Sequence, residues 1–210
     1  MSLDEHWAVP RAWEGARVFV IGGGPSFDRE LATQIRRSGY VVCCNSAYVA
    51  FPTGHVVCWS DDRWFRWNHI ALAKWGGTYR IARKKPPIDF TFDVKLMRRA
   101  PVVPGTPLRP LSDHPQQVGG FCTGAMGINI AYLFGGSEII LCGFDMARIE
   151  GRTHWHQEHR TQTRESQYTI YADQIEAFAP KLAKAGVKVW DTSLNGRLKS
   201  FSKINIKEFL

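Results

Sequence analysis

Short apolar runs, many of them β-branched, recur along the 210-residue chain and are separated by stretches with helical spacing. Arg17–Ile21 (RVFVI), Tyr40–Cys44 (YVVCC), His55–Trp59 (HVVCW), Glu138–Cys142 (EIILC) and Val187–Trp190 each read as a strand. Their apolar character is continuous rather than alternating, as expected where both faces of a strand are covered. Thr78–Ala82 (TYRIA) reads as a further strand. Ser26–Ser38 predicts a helix with Ser26 as N-cap, Asp28 and Glu30 in its first turn, and Gly39 as the stop. Arg63–Lys74 places Trp64, Trp67 and Ile70 at helical spacing, Thr123–Phe134 is a helix rich in small residues, and one long helix is predicted from about Ser166 to Ala185. Strands alternating with helices in this way predict an α/β fold with a mostly parallel sheet flanked by helices.

Residues Pro86–Gln117 break the pattern. They hold seven of the eleven prolines, which predicts a loop-rich excursion or lid over about 86–118 within a single domain covering residues 1–210. The apolar content of 44% and the eight tryptophans exclude a disordered chain. No apolar stretch approaches the roughly 20 residues that a membrane-spanning helix needs. Five cysteines, an odd count without C-x-x-C spacing, read as reduced thiols and a cytoplasmic setting, and no secretory signal is expected at the N-terminus. The net charge of +8 is compatible with nucleic acid, an acidic surface or phosphorylated small ligands.

In open parallel sheets, ligands sit beyond the carboxyl ends of the strands. Here those ends carry Gly22-Gly23-Gly24-Pro25-Ser26, Asn45-Ser46, Ser60-Asp61-Asp62, Gly143-Phe144-Asp145 and Asp191-Thr192-Ser193. Taken singly these are ordinary turn and cap residues; their convergence on one edge is what points to a site. A glycine turn at a helix N-terminus suits phosphate, because backbone N–H groups and the helix dipole face the anion. G-x-G-x-x-G would need glycine at position 27, which is Phe27, and no Gly-Lys-Ser/Thr follows, so neither a dinucleotide fingerprint nor a Walker loop is present. Asn45 offers a donor and an acceptor to a base or ribose. Asp61, Asp62 and Asp145 offer carboxylates for Mg²⁺ or for general-base work.

His154-Trp155-His156-Gln157-Glu158-His159 is the densest titratable cluster. Its H-x-H-x-x-H spacing, preceded by Thr153, resembles the T-H-x-H-x-D-H pattern of the metallo-β-lactamase superfamily and allows a zinc-dependent hydrolase, a reading weakened by Glu158 in place of the aspartate and by the lack of any later histidine. Two alternatives are a base and phosphate clamp supported by Arg148, Arg152, Arg160 and Arg164, and a solvated polar loop.

V-I-G-G-G-P-S, C-N-S-A-Y and F-C-T-G-A-M-G-I-N-I-A-Y-L-F-G-G-S-E-I-I-L-C-G-F-D-M resemble, in order and approximate spacing, the bacterial family-42 sialyltransferases and the MptE-like pterin pyrophosphokinases, relatives of which are also encoded by phages. The resemblance spans about two thirds of the chain and fails over the proline-rich middle. It implies a Rossmann-like domain and a nucleotide of the CMP-sugar or ATP/CTP class. It places Gly22, Gly24, Pro25 and Ser26 at the phosphates or base, Asn45 at the nucleotide or donor, Thr123 and Gly124 at a helix N-terminus facing it, and Asp145 near the ribose. The base implied is His154, His156 or His159. Gly23 stands where the sialyltransferases have the asparagine of G-N-G, and the tyrosines they place after G-x-D have no match in Met146–Gly151.

The leading expectation is a nucleotide-dependent transferase moving a glycosyl or diphosphoryl group to an anionic or hydroxyl-bearing acceptor. The alternative is a protein that binds nucleotides or nucleic acid without catalysis. In that reading Arg80–Lys85, Lys95–Arg99 and Arg197–Lys207 supply charge while Trp64, Trp67 and Trp75 stack bases.

Overall fold

In a computed structural model, residues 6–106, 108–157 and 163–210 are described. Among them, β1 (Arg17–Ile21), β2 (Tyr40–Cys44), β3 (Val56–Trp59), β4 (Tyr79–Ala82), β8 (Glu138–Cys142) and β9 (Lys188–Asp191) form the centre of an eight-stranded parallel sheet. Two-residue strands β5 (Lys95–Leu96) and β10 (Ser202–Lys203) close its edges, giving the order β10-β9-β8-β1-β2-β3-β4-β5. The α/β class and the parallel sheet predicted from the apolar runs are what the chain adopts.

Both faces of the central strands are covered. Val18, Val20, Val42, Val56, Ile139 and Leu141 face one core, which is shared with helices α3 (Thr123–Leu133), α4 (Glu165–Glu176) and α5 (Ala179–Lys184). Phe19, Ile21, Val41, Val57, Trp59 and Ile140 face the other, shared with α1 (Ala32–Ser38) and α2 (Asp62–Lys74). This two-sided burial is why the strands carry no polar alternation. Helix α3 is buried almost all round for the same reason: nine of its eleven residues are buried, with the sheet on one side and the proline-rich segment and α4 on the other.

That proline-rich segment supplies β5 and the small parallel pair β6 (Arg98–Arg99) and β7 (Gln117–Val118). Met97, Leu111 and Val118 from it are fully or almost fully buried in the first core. It is pinned to α3 by the buried Asn129 side chain. Asn129 Oδ1 accepts from the backbone N–H groups of Ser112 (2.8 Å) and Gly119 (2.7 Å), and its Nδ2 donates to the Ser112 carbonyl (2.9 Å). A buried amide with its hydrogen bonds made fixes a loop that lacks a ladder of its own.

Three expectations change. The long C-terminal helix is two helices, α4 and α5, separated at Ala177-Phe178. Pro180 lies in the first turn of α5, where its missing N–H costs nothing; inside a continuous helix its ring would clash with the carbonyl four residues back. Ser26 does not cap a helix. The chain makes a 3₁₀ turn at Arg29–Leu31, capped by Asp28, whose carboxylate accepts from the Glu30 N–H at 2.9 Å, and only then enters α1. The tryptophans offered for base stacking are mostly core. Trp64 and Trp75 are 4% and 5% exposed, their indoles donating to Ser46 Oγ and the Phe51 carbonyl, and Trp67 alone is partly open at 37%.

Below the sheet, Trp13 stacks between Phe134 (ring centroids 3.8 Å apart) and Tyr40 (4.5 Å), with the His55 ring 4.7 Å from Tyr40. His55 Nδ1 accepts from the Val41 N–H at 2.9 Å, so the ring must be neutral at that nitrogen. Burial, then the charge of Arg36, lowers its pKa to about 4. A histidine depressed in the folded state binds protons more readily when unfolded, so its contribution to stability is complete above about 6.5 and is lost as pH falls toward 4. We expect the melting temperature to decline over that window, with a shallower decline in His55→Gln. Equal slopes for both proteins in thermal melts would refute the assignment.

Candidate functional site

Strand order reverses at β1, with β2 to β5 on one side and β8 to β10 on the other. Loops leaving β1 and β8 therefore part in opposite directions, and the crevice between them is the topological switch point where ligands of such sheets bind. A cavity of about 300 Å³ opens at this place. Gly22-Gly23-Gly24 follow β1 and form one wall; Asn45 follows β2; Ser60 and Asp61 follow β3; Thr123 and Gly124 open α3; Gly143 and Phe144 follow β8. His154 and His156 come in over the glycines, and Gln167, Tyr168 and Tyr171 from α4 close the far side.

The glycine loop is held from below. Asp145, 1% exposed, accepts from the Ser26 N–H (3.1 Å) and from Ser26 Oγ (2.9 Å). Ser26 Oγ also lies 3.0 Å from Ser193 Oγ, which accepts from the Phe144 N–H at 2.9 Å. Ser193 is set in turn by the fully buried Asp191, which accepts its N–H at 2.8 Å and meets Lys203 Nζ at 2.5 Å. A polar chain thus runs from β10 beneath the site to the β1 loop. Gly24 is part of this closure: a Cβ there would overlap Asp145 Oδ2 and stand 2.6 Å from the Gly143 carbonyl oxygen.

The histidine segment is held from above. Trp155 donates its backbone N–H to the Gly23 carbonyl and its indole N–H to the Gly22 carbonyl, both at 3.0 Å. Its ring packs edge-on to Phe27, with centroids 5.1 Å apart. His154 lies directly over Gly23, where an added Cβ would stand 2.8 Å from His154 Cδ2. The ring centroids of His154 and His156 are 5.3 Å apart.

Asn45 adopts φ of 51°, a left-handed conformation that asparagine tolerates better than most side chains. Its Oδ1 is buried and has no hydrogen-bond partner among the described residues. A buried acceptor left open in a cavity fits a ligand donor such as an exocyclic amine or a hydroxyl. At the start of α3, the Cys122 thiol accepts weakly from the Ala125 N–H (3.4 Å), and burial raises its pKa so that it stays protonated. Thr123 Oγ1 is 3.0 Å from Ser60 Oγ. The phenols of Tyr168 and Tyr171 also have raised pKa values, chiefly through burial, so both remain O–H donors near neutrality.

Of the residues singled out from sequence, Gly22, Gly23, Gly24, Asn45, Asp61, Thr123, Gly124, His154 and His156 line one cavity. Pro25, Ser26 and Asp145 lie outside its lining, with Ser26 and Asp145 bonded to each other beneath the loop. With α1 starting at Ala32, the glycines do not lead into a helix; the helix N-terminus at the cavity is that of α3. His159 and Arg160 fall outside the described residues. Asp61 caps α2, accepting from the Arg63 N–H at 2.8 Å, and Asp62 pairs with Lys84 at 2.5 Å. Burial opposes ionisation of Asp61, but the Arg63 backbone and guanidinium outweigh it and hold the carboxyl below its usual range. Both carboxylates are paired with cations, and of the two only Asp61 lines the cavity. Among the described residues no group of three or more His, Cys, Asp or Glu is placed to hold a metal ion. Arg63 lines the cavity, whereas Arg148, Arg152 and Arg164 do not.

Sequence reasoning missed Trp155 as an anchor and Tyr168, Tyr171 and Gln167 as walls. Trp155 was visible only as a neighbour of the histidines, and the α4 residues reach the site solely through the path of the chain between β8 and α4.

Fold and cavity together define a parallel α/β protein with an open crevice at its switch point. Among solved structures it is similar to the MAf glycosyltransferase from Magnetospirillum magneticum AMB-1, with a TM-score of 0.65 and 14% identity over 98% of this chain. It is also similar to the sialyltransferase CstII from Campylobacter jejuni in complex with the substrate analogue cytidine-5'-monophosphate (TM-score 0.51, 13% identity, 91% of this chain and 85% of that one). A complex of the same enzyme with CMP-3FNeuAc gives a TM-score of 0.54 at 13% identity over 90% of this chain and 86% of that one. The chain spans 38% of the MAf protein. No family model and no curated protein sequence matches it. The shared property is the fold.

Trp155→Phe keeps the ring and deletes the indole donor. We expect urea unfolding to show a loss of about 1–2 kcal/mol, with faster amide exchange at His154 and His156. Gly24→Ala forces the loop off Asp145 and is expected to cost about 1–3 kcal/mol. Unchanged unfolding midpoints in both variants would mean that the loop is not fixed by these contacts.

Proposed function

We propose that the cavity binds a nucleotide-linked sugar and transfers the glycosyl group to an acceptor hydroxyl. The observation that carries this reading is the open, buried Asn45 Oδ1 inside a cavity at the switch point, on a fold similar to that of glycosyltransferases. Asn45 would take the nucleoside through hydrogen bonds to its amide. The phosphate would rest against the N-terminus of α3, where the helix dipole favours an anion. Neutral Tyr168 and Tyr171 would donate hydrogen bonds to the phosphate as it leaves, stabilising charge that grows in the transition state. A histidine of the pair His154/His156 would accept the proton of the acceptor hydroxyl as its oxygen bonds to the anomeric carbon and the bond from that carbon to phosphate breaks. Diphosphoryl transfer relies on a divalent cation held by free carboxylates; with Asp61 facing Arg63 and Asp62 facing Lys84, glycosyl transfer is the better supported reaction.

Calorimetric titration tests the nucleotide part. CMP is expected to bind, and Asn45→Gly, which preserves the backbone conformation, is expected to weaken it by about tenfold or more through loss of hydrogen bonds in a buried site. His154→Ala and His156→Ala should leave CMP affinity nearly unchanged while one of them abolishes transfer. No heat and no thermal stabilisation with CMP, UDP or ADP at millimolar concentrations would overturn the reading.

A further inference from the structure

Two guanidinium groups converge on Phe121, a third sits beside one of them, and among the described residues none has a carboxylate partner. Arg83, directly after β4, is 7% exposed and donates to the carbonyls of Gly120 (2.6 Å) and Phe121 (2.8 Å); its Nε is buried with no partner among the described residues. Phe121 lines the cavity and is 37% exposed, which puts it at the rim. The Arg109 guanidinium lies over the Phe121 ring, 5.3 Å from its centroid. Arg109 is built in rather than loose: its backbone N–H and carbonyl are held by the buried Gln174 amide at 3.1 and 2.9 Å, and its Nη1 donates to the Ala100 carbonyl at 2.5 Å. Its Nε is likewise buried without a partner among the described residues. Arg99, at the end of β6 and exposed, is the third. Among the described residues none of the three takes part in an ion pair.

Burial, followed by the charge of Arg99 and to a lesser extent that of Arg109, lowers the pKa of Arg83 to about 10. Buried or crowded cations without a counter-charge are costly, and a protein that maintains them gains something else from the field. We propose that Arg99 and Arg109, with Arg83 behind them, form an anion subsite that holds a carboxylate or phosphate carried by the acceptor. The planar forks suit either group, and a site at Phe121 orients such an acceptor with its hydroxyl toward the cavity. Naming the anion as the acceptor's rests on the glycosyl-transfer reading; the existence of the subsite does not.

The test uses the full chain labelled with ¹⁵N-arginine. Inorganic phosphate, glucuronate and glucose are titrated separately while the arginine Nε–H signals are followed, and CMP is titrated into the same preparations. We expect phosphate or glucuronate to shift the signals of Arg99 or Arg109, glucose to shift neither, and Arg99→Gln or Arg109→Gln to weaken anion binding by about tenfold, the loss expected for a charge-assisted contact. CMP affinity should change by less than about twofold. A response to phosphate alone identifies a phosphorylated acceptor, and a response to glucuronate alone a carboxylate. Anions that bind no better than glucose, or as tightly in Arg99→Gln and Arg109→Gln as in the parent, overturn the subsite. Absence of CMP binding counts against the nucleotide reading alone, because the anion titrations are read without it.

Discussion

The buried carboxylate of Asp145 is the contact on which the site depends. It receives both donors of Ser26 and so ties the loop after β1 to the loop after β8. Those two loops would otherwise splay, since the sheet turns in opposite directions on either side of β1. Once they are fastened, the glycines lie flat enough for Trp155 to bond to the Gly22 and Gly23 carbonyls, and the histidines are brought over the cavity. Asp191 and Lys203 extend the same support to the edge of the sheet. A side chain of the type usually sought as a catalytic acid or base thus acts here as a fastener.

Chemistry divides cleanly between two levels. Beneath the loop are groups whose hydrogen bonds are made: Ser26, Asp145, Ser193 and Asp191. Above it are groups that face the cavity: the open Asn45 oxygen, the protonated tyrosines, the histidine pair and the start of α3. The lower layer removes freedom from the backbone, and the upper layer lines the cavity, with the Asn45 oxygen left open. This is the arrangement that preorganised binding requires, because the entropy of ordering the loop is spent during folding rather than on association.

The strands were legible because each is buried on both faces, and an uninterrupted apolar run bounded by turn residues fits a covered strand far better than a half-exposed one. Asn45, Thr123 and His154 were legible as strand-end, helix-start and cluster residues, and they do converge. Ser26 was misread because its position and residue type suit an N-cap, while a carboxylate 119 residues away competes for the same donors. No local pattern records such a competitor. Tyr168 and Tyr171 were invisible for a related reason: i and i+3 on α4 identify a helix face but not what it faces. Pro180 was the exception, a local signal that marks the break between α4 and α5 inside a longer helical periodicity that masks it.

The pairing of β1 with β8 also bears on how the protein is made. Arg17 and Glu138 meet across that pair although they stand 121 positions apart, so the cavity has no floor until most of the chain has been threaded into the sheet. Closing a loop of that length is slow, and parallel pairing of distant strands gives little reward before it is complete. The crevice therefore exists only where that long-range pairing is complete. A ligand that occupies it acts on the finished state, slowing escape from the native basin while leaving the ascent to the barrier untouched.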